Sequence, residues 1–197
     1  MRSNWLFTPY TSTNPDNRPL YIKQPQVNTY DKVSENLYVG GIESSQKEWS
    51  NFKLIVNCTK DIPFPSQRQG KRAESLLTTN SEGERRSPEE FGMTSPECIR
   101  IPVNDTPDEC DNMTKLMMET NVLQRIDEYI RKGEPVLVHC YAGMQRSCAL
   151  VACYFIKYYN VTPAVAMDHI KRKRPVAFFG GANFMKTIQT SQATLSP

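Results

Sequence analysis

Val138–Ser147 reads VHCYAGMQRS, so five residues separate the Cys140 thiol from the Arg146 guanidinium, and Ser147 follows directly. The stretch comes after the apolar run Pro135-Val136-Leu137 and before CALVACYFIKYY. A short strand therefore ends at the cysteine, a loop containing Gly143 follows, and a helix begins near the arginine. Three readings suit a thiol and a guanidinium at the mouth of a helix: a nucleophile beside an anion site, a metal or redox site, or a tight turn with no chemistry.

The first reading has a definite physical form. In a strand–loop–helix the backbone N–H groups of Tyr141, Ala142, Gly143, Met144, Gln145 and Arg146 can turn inward as a nest, and the helix adds its positive end. Together they form a cradle for a dianionic phosphate. Gly143 lets the chain turn without a Cβ clash. Arg146 can hold two phosphate oxygens through its planar fork, a geometry that lysine lacks. The same field favours the nucleophilic thiolate at Cys140, which lies at the base of the cradle. Ser147 can donate a hydrogen bond to that sulfur and ease its later departure, cap its own helix, or do both. His139 reads as ordering the loop backbone rather than moving protons.

A phosphate ester's leaving oxygen also needs a proton, best supplied by a carboxylic acid on a separate loop. Asp105, in IPVNDTPD after an apolar strand, is the candidate. Asp108 and Asp111 are rivals that lie farther from the strand end. The alternative for Asp105 is a turn carboxylate that caps the residues after it.

The metal and disulfide readings find less support. The six cysteines are Cys58, Cys98, Cys110, Cys140, Cys148 and Cys153, with no C-x-x-C pair, and the histidines are His139 and His169. That set lacks the spacing of a zinc site, so no metal or cofactor is expected. Met1–Leu20 has no apolar h-region, which predicts an intracellular, reducing compartment: cytoplasmic, with the nucleus also compatible. Four N-x-T matches, at Asn57, Asn104, Asn112 and Asn160, are then chance matches. A formal charge of +3 is too mild to argue for nucleic acid. No apolar run approaches a membrane span, so no membrane partner is expected.

Which elements must position these residues? The 197 residues suffice for one domain with a sizeable core. Residues 1–31 are rich in Pro, Asn and Thr and read as an irregular arm, laid over the domain through Trp5, Phe7 and Tyr10. Residues 32–190 read as the catalytic domain and 191–197 as a tail. Strands are expected at Leu37–Val39, Lys53–Cys58, Cys98–Val103 and Pro135–Val138. Helices are expected at Glu43–Asn51, at Met113 to Gly133 as one continuous run, at Ser147–Tyr159, from Thr162 with Pro163 at its first position, and at Asn183–Gln189. A segment at about 63–97, dense in Pro, Gly, Ser and charge, reads as a flexible insertion with a Ser87-Pro88 dipeptide inside it. Lys171–Arg174 reads as a solvated helix end or as a basic surface that steers acidic substrates. Alternating strands and helices give an α/β class with helices flanking a sheet.

His139-Cys140-Tyr141-Ala142-Gly143-Met144-Gln145-Arg146-Ser147 resembles the H-C-x-x-G-x-x-R-S signature of cysteine-dependent protein tyrosine phosphatases. The wider pattern resembles their dual-specificity branch. Asn36–Gly41 is similar to its N-L-Y-L-G strand, and Ile101–Thr106 to the segment that carries its general acid. Val136–Cys140 matches V-L-V-H-C, and Lys173-Arg174-Pro175 its K-x-R-P element. The resemblance covers about Lys32 to Ile188, in the family's order.

It implies a central, mostly parallel twisted sheet flanked by helices, and a two-step reaction without metal. Cys140 attacks phosphorus while Asp105 protonates the leaving group; water then attacks the phosphocysteine with Asp105 as base. Phosphorylated proteins are the implied partners. No phosphotyrosine-recognition loop of the classical tyrosine phosphatases is present, so a shallow cleft open to phosphoserine, phosphothreonine and phosphotyrosine is expected. The family usually has Pro-Asn before Gly-Phe after its R-P; here Val176–Phe184 is one residue longer, and Asn183 is the candidate for the Asn that braces the catalytic loop. Cys58, at the end of a neighbouring strand, reads as a small buried hydrophobe or as a resolving cysteine for oxidised Cys140. Two rival functions stand beside this one. Phosphatases of RNA 5′ ends or phosphoinositides tend to carry basic loop residues, whereas Tyr141, Ala142, Met144 and Gln145 are neutral. Silent phosphate-binding scaffolds usually lack the cysteine or the arginine, and both are present. The physiological substrate and the oligomeric state are left open.

Overall fold

The computed structural model describes residues 27–64 and 95–195. Trp5, Phe7, Tyr10 and Ser87-Pro88 lie outside the described residues, as does nearly all of the expected arm and insertion. The elements are β1 (Tyr30–Ser34), β2 (Leu37–Gly40), α1 (Ile42–Lys47), a 3-10 turn at Trp49–Asn51, β3 (Leu54–Asn57), β4 (Glu97–Arg100), a 3-10 turn at Pro107–Glu109, α2 (Cys110–Glu119), α3 (Val122–Arg131), β5 (Val136–His139), α4 (Arg146–Tyr159), α5 (Pro163–Lys173) and α6 (Met185–Leu195).

The sheet has five strands in the order β1-β2-β5-β3-β4. β1 runs antiparallel to β2, and every other pair is parallel. β5 lies in the middle, and all four of its residues, VLVH, are buried. Such continuous apolar runs suit a parallel strand covered on both faces. The period of two divides the side chains. Leu54, Val56, Val136 and Val138 enter the main core, while Ile55 and Leu137 pack on the other face with Phe52. Cys58 and Cys140 fall on the main-core face. Gly40 and Asn57 are both register partners of His139, so β2, β3 and β5 end at one level. Ligands of open α/β sheets bind at the carboxyl ends of the strands.

α4 is the central helix. Ser147 through Ile156 are all buried, as expected of a helix that is apolar all round. It ends at Asn160 in the left-handed conformation (φ 50°). Thr162 then caps α5, its Oγ1 accepting a hydrogen bond from Val165 N at 3.4 Å.

Several boundaries differ from those expected. The run after Met113 is two helices, because Asn121 adopts φ 49° and redirects the chain between Glu119 and Val122; asparagine tolerates that region where most residues do not. Tyr30 and Asp31, read as part of the arm, form the start of edge strand β1. α6 continues to Leu195, past the expected tail boundary, and buries Thr187, Ile188 and Ser191. Pro102 cannot donate to a ladder, and β4 stops at Arg100, though Ile101 and Val103 remain buried. Asn57 is fully buried, its amide donating to Ile62 O at 2.8 Å and accepting from Thr59 N at 3.0 Å, so no glycan reaches it.

Candidate active site

β5 delivers Cys140 to the end of the sheet, and the loop from Tyr141 to Gln145 is held from outside by its carbonyls. Tyr141 O accepts from Ile42 N at 2.9 Å, and Met144 O from Phe178 N at 2.8 Å. Ala142 O and Gly143 O accept from Arg174 at 3.2 and 2.6 Å. In a planar trans peptide, C=O and N–H point in opposite directions. Turning these carbonyls outward therefore turns the following amides inward, as Gly143 N shows by donating to Cys140 Sγ at 3.2 Å. Ser147 Oγ donates to the same sulfur at 3.3 Å. The result is a nest of amides over a thiol at the start of a fourteen-residue helix. Gly143 has φ +68°, and a Cβ there would lie 2.6 Å from both Gly40 and the Arg174 guanidinium.

His139 is buried, with Nδ1 3.2 Å from Cys140 O. Burial pulls its pKa down to about 4, the Cys140 carbonyl contact opposes this, and the Arg100 and Arg146 charges add to it. A neutral imidazole at the loop's first peptide suits ordering rather than proton transfer. Tyr141 and Ala142 are exposed, and Gln145 is buried.

The Asp105 loop meets the loop after β5 at Arg146. Arg146 NH1 donates to Val103 O at 3.2 Å, and its Nε lies 3.5 Å from Asp105 Oδ2. That last contact is an ion pair without hydrogen-bond geometry, and Nε has no other hydrogen-bond partner. The Arg146 side chain is 12 % exposed and that of Asp105 36 %. Of the rivals, Asp108 is exposed and Asp111 is paired with Lys186 at 2.6 Å. The loop's base is tied by Glu109, whose carboxylate accepts from Lys60 at 2.8 Å, Asn112 at 2.5 Å and Asn104 N at 3.2 Å. Lys60 and Asn112, with the Asn104 amide, hold the Glu109 carboxyl down at about 2 against the effect of burial.

The "Dual specificity phosphatase, catalytic domain" family model matches residues 37–193. The chain belongs to the dual-specificity phosphatase family. Dual specificity protein phosphatase 1 of Arabidopsis thaliana is 41% identical over 70 residues, 36% of this chain and 35% of that protein. Phosphatidylglycerophosphate phosphatase PTPMT1 of Arabidopsis thaliana is 24% identical over 165 residues, 81% of this chain and 47% of that protein. The chain thus spans less than half the length of these two relatives. The crystal structure of human DUSP28 matches with a TM-score of 0.63 at 21% identity, covering 87% of this chain and 97% of that one. Likeness at that identity speaks for the fold: a mostly parallel sheet flanked by helices.

In this dual-specificity phosphatase domain three side chains make contacts that the motifs did not specify. Arg174, read as part of a solvated helix end, is 1 % exposed. Besides the two loop carbonyls, it binds Asp31 Oδ2 at 2.6 Å and Asn28 O at 3.3 Å. Lys171–Lys173 are the exposed part of that run. Gln145, expected to offer its backbone amide, also uses its side chain. Its Nε2 donates to Phe179 O and Gly181 O at 3.0 and 2.7 Å, and its Oε1 accepts from Asn183 N at 3.2 Å. Asn183, the candidate for the Asn that braces the catalytic loop, turns its side chain to Asp105. Only a basic residue before a proline, and a glutamine where the loop needs no polar side chain, could have signalled the first two.

His169 Nε2 donates to Val33 O at 2.6 Å. Among the described residues no cluster of three or more His, Cys, Asp and Glu is arranged to hold a metal ion. All six cysteines are free.

Proposed function

We propose that this domain hydrolyses phosphate monoesters on proteins, at phosphotyrosine and at phosphoserine or phosphothreonine, through a phosphocysteine on Cys140 with Asp105 as general acid and base. One observation carries the reading: Arg146 reaches the acid loop, while Cys140, six residues earlier in the chain, lies beneath inward-facing amides. A phosphoryl dianion in the nest is held by the amides of Tyr141 to Arg146 and by the Arg146 fork. Sγ attacks phosphorus, the ester oxygen leaves on the opposite side, and Asp105 gives it a proton. Water then attacks the phosphocysteine, Asp105 takes its proton, and sulfur leaves with Ser147 donating to it. Each step needs the charge to be stabilised where it develops, which preorganised donors do without reorganising.

The exposed mouth, with Tyr141 and Phe179 both more than half exposed, suits a folded or peptide substrate better than a small deep-pocket ligand. No nucleic-acid or membrane partner is part of this proposal. Among the described residues no helix is long and apolar enough to cross a membrane. A cytoplasmic or nuclear location is likewise proposed from the sequence reading.

The test is turnover of an aryl phosphate, blocked by vanadate. Cys140→Ser should abolish it, and Asp105→Ala should lower it while binding survives. Full activity in Cys140→Ser would sink the reading. Immobilised Asp105→Ala then identifies what stays bound. A second reading, a phosphoinositide or other lipid phosphate as substrate, is favoured by the relation to PTPMT1. Comparing phosphopeptide, inositide and triphosphate-RNA turnover separates the three; the neutral Tyr141, Ala142, Met144 and Gln145 favour the phosphopeptide.

A further inference from the structure

We infer that Asn183 is a positioning residue for the general acid, keyed to the phosphate loop by Gln145. This rests on the reading of Asp105 as the acid. Asp105 sits on a loop with its side chain 36 % exposed, and its ion pair with Arg146 lacks hydrogen-bond geometry. Asn183 supplies the hold: its Nδ2 donates to Asp105 Oδ1 at 2.9 Å and to Asp105 O at 3.2 Å. Both partners are acceptors, which decides the orientation of the amide. Gripping a residue's backbone and side chain at once leaves its χ1 little freedom.

Asn183 is itself placed in the frame of the phosphate loop. Its N–H donates to Gln145 Oε1 at 3.2 Å, and Gln145 Nε2 clamps the turn ahead of it through Phe179 O and Gly181 O. Phe178 N completes the seam on Met144 O. The turn would be a poor anchor alone, because Gly180 and Gly181 both have positive φ. Gln145 thus connects the loop that binds phosphate to the residue that aims the acid.

The contact also selects an oxygen. Oδ1 accepts the Asn183 amide, so in the acid form the proton belongs on Oδ2. Oδ2 is the oxygen 3.5 Å from Arg146 Nε, on the side of the cradle. The same grip serves both steps: Oδ2 gives its proton to the ester oxygen, then takes one from water, while Oδ1 keeps its donor throughout.

Proton donation matters for a poor leaving group and hardly at all for a good one. A positioning role therefore predicts a split that a merely structural role would not give. The full chain is assayed as wild type, Asp105→Ala, Asn183→Ala, Asn183→Asp and the Asp105→Ala/Asn183→Ala double variant. Phenyl phosphate is the poor leaving group and 2,4-dinitrophenyl phosphate the good one, and kcat/KM is the readout. Asp105→Ala should lose at least about 100-fold on phenyl phosphate. Asn183→Ala should lose about tenfold on phenyl phosphate, as expected of a misplaced reacting group, and stay within about twofold on the dinitrophenyl ester. The double variant should be no worse than Asp105→Ala. Asn183→Asp keeps the shape but removes the donor and adds a like charge, so it should fail as alanine does.

Equal losses of Asn183→Ala on both esters, no loss on either, or full activity of Asn183→Asp would each overturn the inference. In those cases the split in Asp105→Ala would leave the assignment of the acid intact. If Asp105→Ala itself shows no split, the acid assignment fails and the role of Asn183 fails with it.

Discussion

Arg174→Met should cost this domain about 4 kcal/mol, and the figure can be built from the structure. Arg174 is 1 % exposed and makes four hydrogen bonds, to Gly143 O, Ala142 O, Asn28 O and Asp31 Oδ2. Methionine keeps the apolar length of the stem but removes every donor. The Asp31 carboxylate, with its side chain 14 % exposed, is then left without its cation. Breaking one side of a buried ion pair costs roughly 3–5 kcal/mol, and the loop carbonyls lose their donors besides. In a chain of this size 1 kcal/mol corresponds to roughly 2–4 °C in Tm, so the variant should melt about 12 °C lower. Thermal and urea unfolding measure the loss, with Lys171→Met as the control, since that exposed substitution should change stability by no more than about 0.5 kcal/mol. Adding Asp31→Asn removes the orphaned charge, so the two substitutions together should cost at least about 1 kcal/mol less than the sum of their separate costs. Activity should fall as well, because freed carbonyls at Ala142 and Gly143 release the amides that face the sulfur. Additive effects of the two substitutions, or a Tm loss under about 3 °C for Arg174→Met, would refute the view of Arg174 as the loop's back brace.

Further outcomes follow from other contacts. His139 titrates near 4 when folded, because of burial, against about 6.5 unfolded. The unfolded chain binds its proton first as pH falls, so stability is full above pH ~6.5 and is lost progressively between ~6.5 and ~4. Urea unfolding of the native chain should therefore lose about 1.6 kcal/mol from pH 6.5 to 5, and a His139→Gln variant with an equal slope would contradict this. Glu109, held at about 2 by Lys60, Asn112 and Asn104, contributes stability present above its unfolded pKa near 4.3 and lost toward pH 2. Lys60 is 40 % exposed, so Glu109→Gln should cost only about 1 kcal/mol, with faster amide exchange at Asn104; unchanged exchange there would disprove the tie. Cys58 follows Asn57 on the strand that pairs Asn57 with His139, so it neighbours Cys140 on the main-core face. Burial pushes the Cys58 thiol up, and Cys140 beside it adds to that. If it resolves oxidised Cys140, peroxide treatment should give a Cys58–Cys140 linked peptide that reductant reverses; irreversible loss of activity with no such peptide leaves Cys58 a buried hydrophobe.

Much of the site could be read from the chain because it is local. Cys140, Gly143, Arg146 and Ser147 share one strand–loop–helix, and their spacing follows from where β5 must stop and α4 must start. Asp105 could be named because it follows closely on an apolar strand, whose end limits where a loop can reach. The break at Asn121 could not, since both halves keep a helical repeat and only their separate packing tells them apart. Arg174 was misjudged for a related reason: in Lys171–Arg174 its place before Pro175 sets it apart, but only burial shows that it is the brace while its neighbours are solvated.

The sequence by itself singled out the candidate nucleophile, the guanidinium beside it and the candidate acid, because these follow from residue type and short-range spacing. Only the tertiary structure decided what holds them. Arg174 meets Asp31 from the far end of the chain, Gln145 clamps a turn at Phe179 and Gly181, and Asn183 reaches Asp105. Those contacts join segments that the sheet order brings together, and a hydrogen bond between distant residues leaves no period or spacing in the chain that makes it.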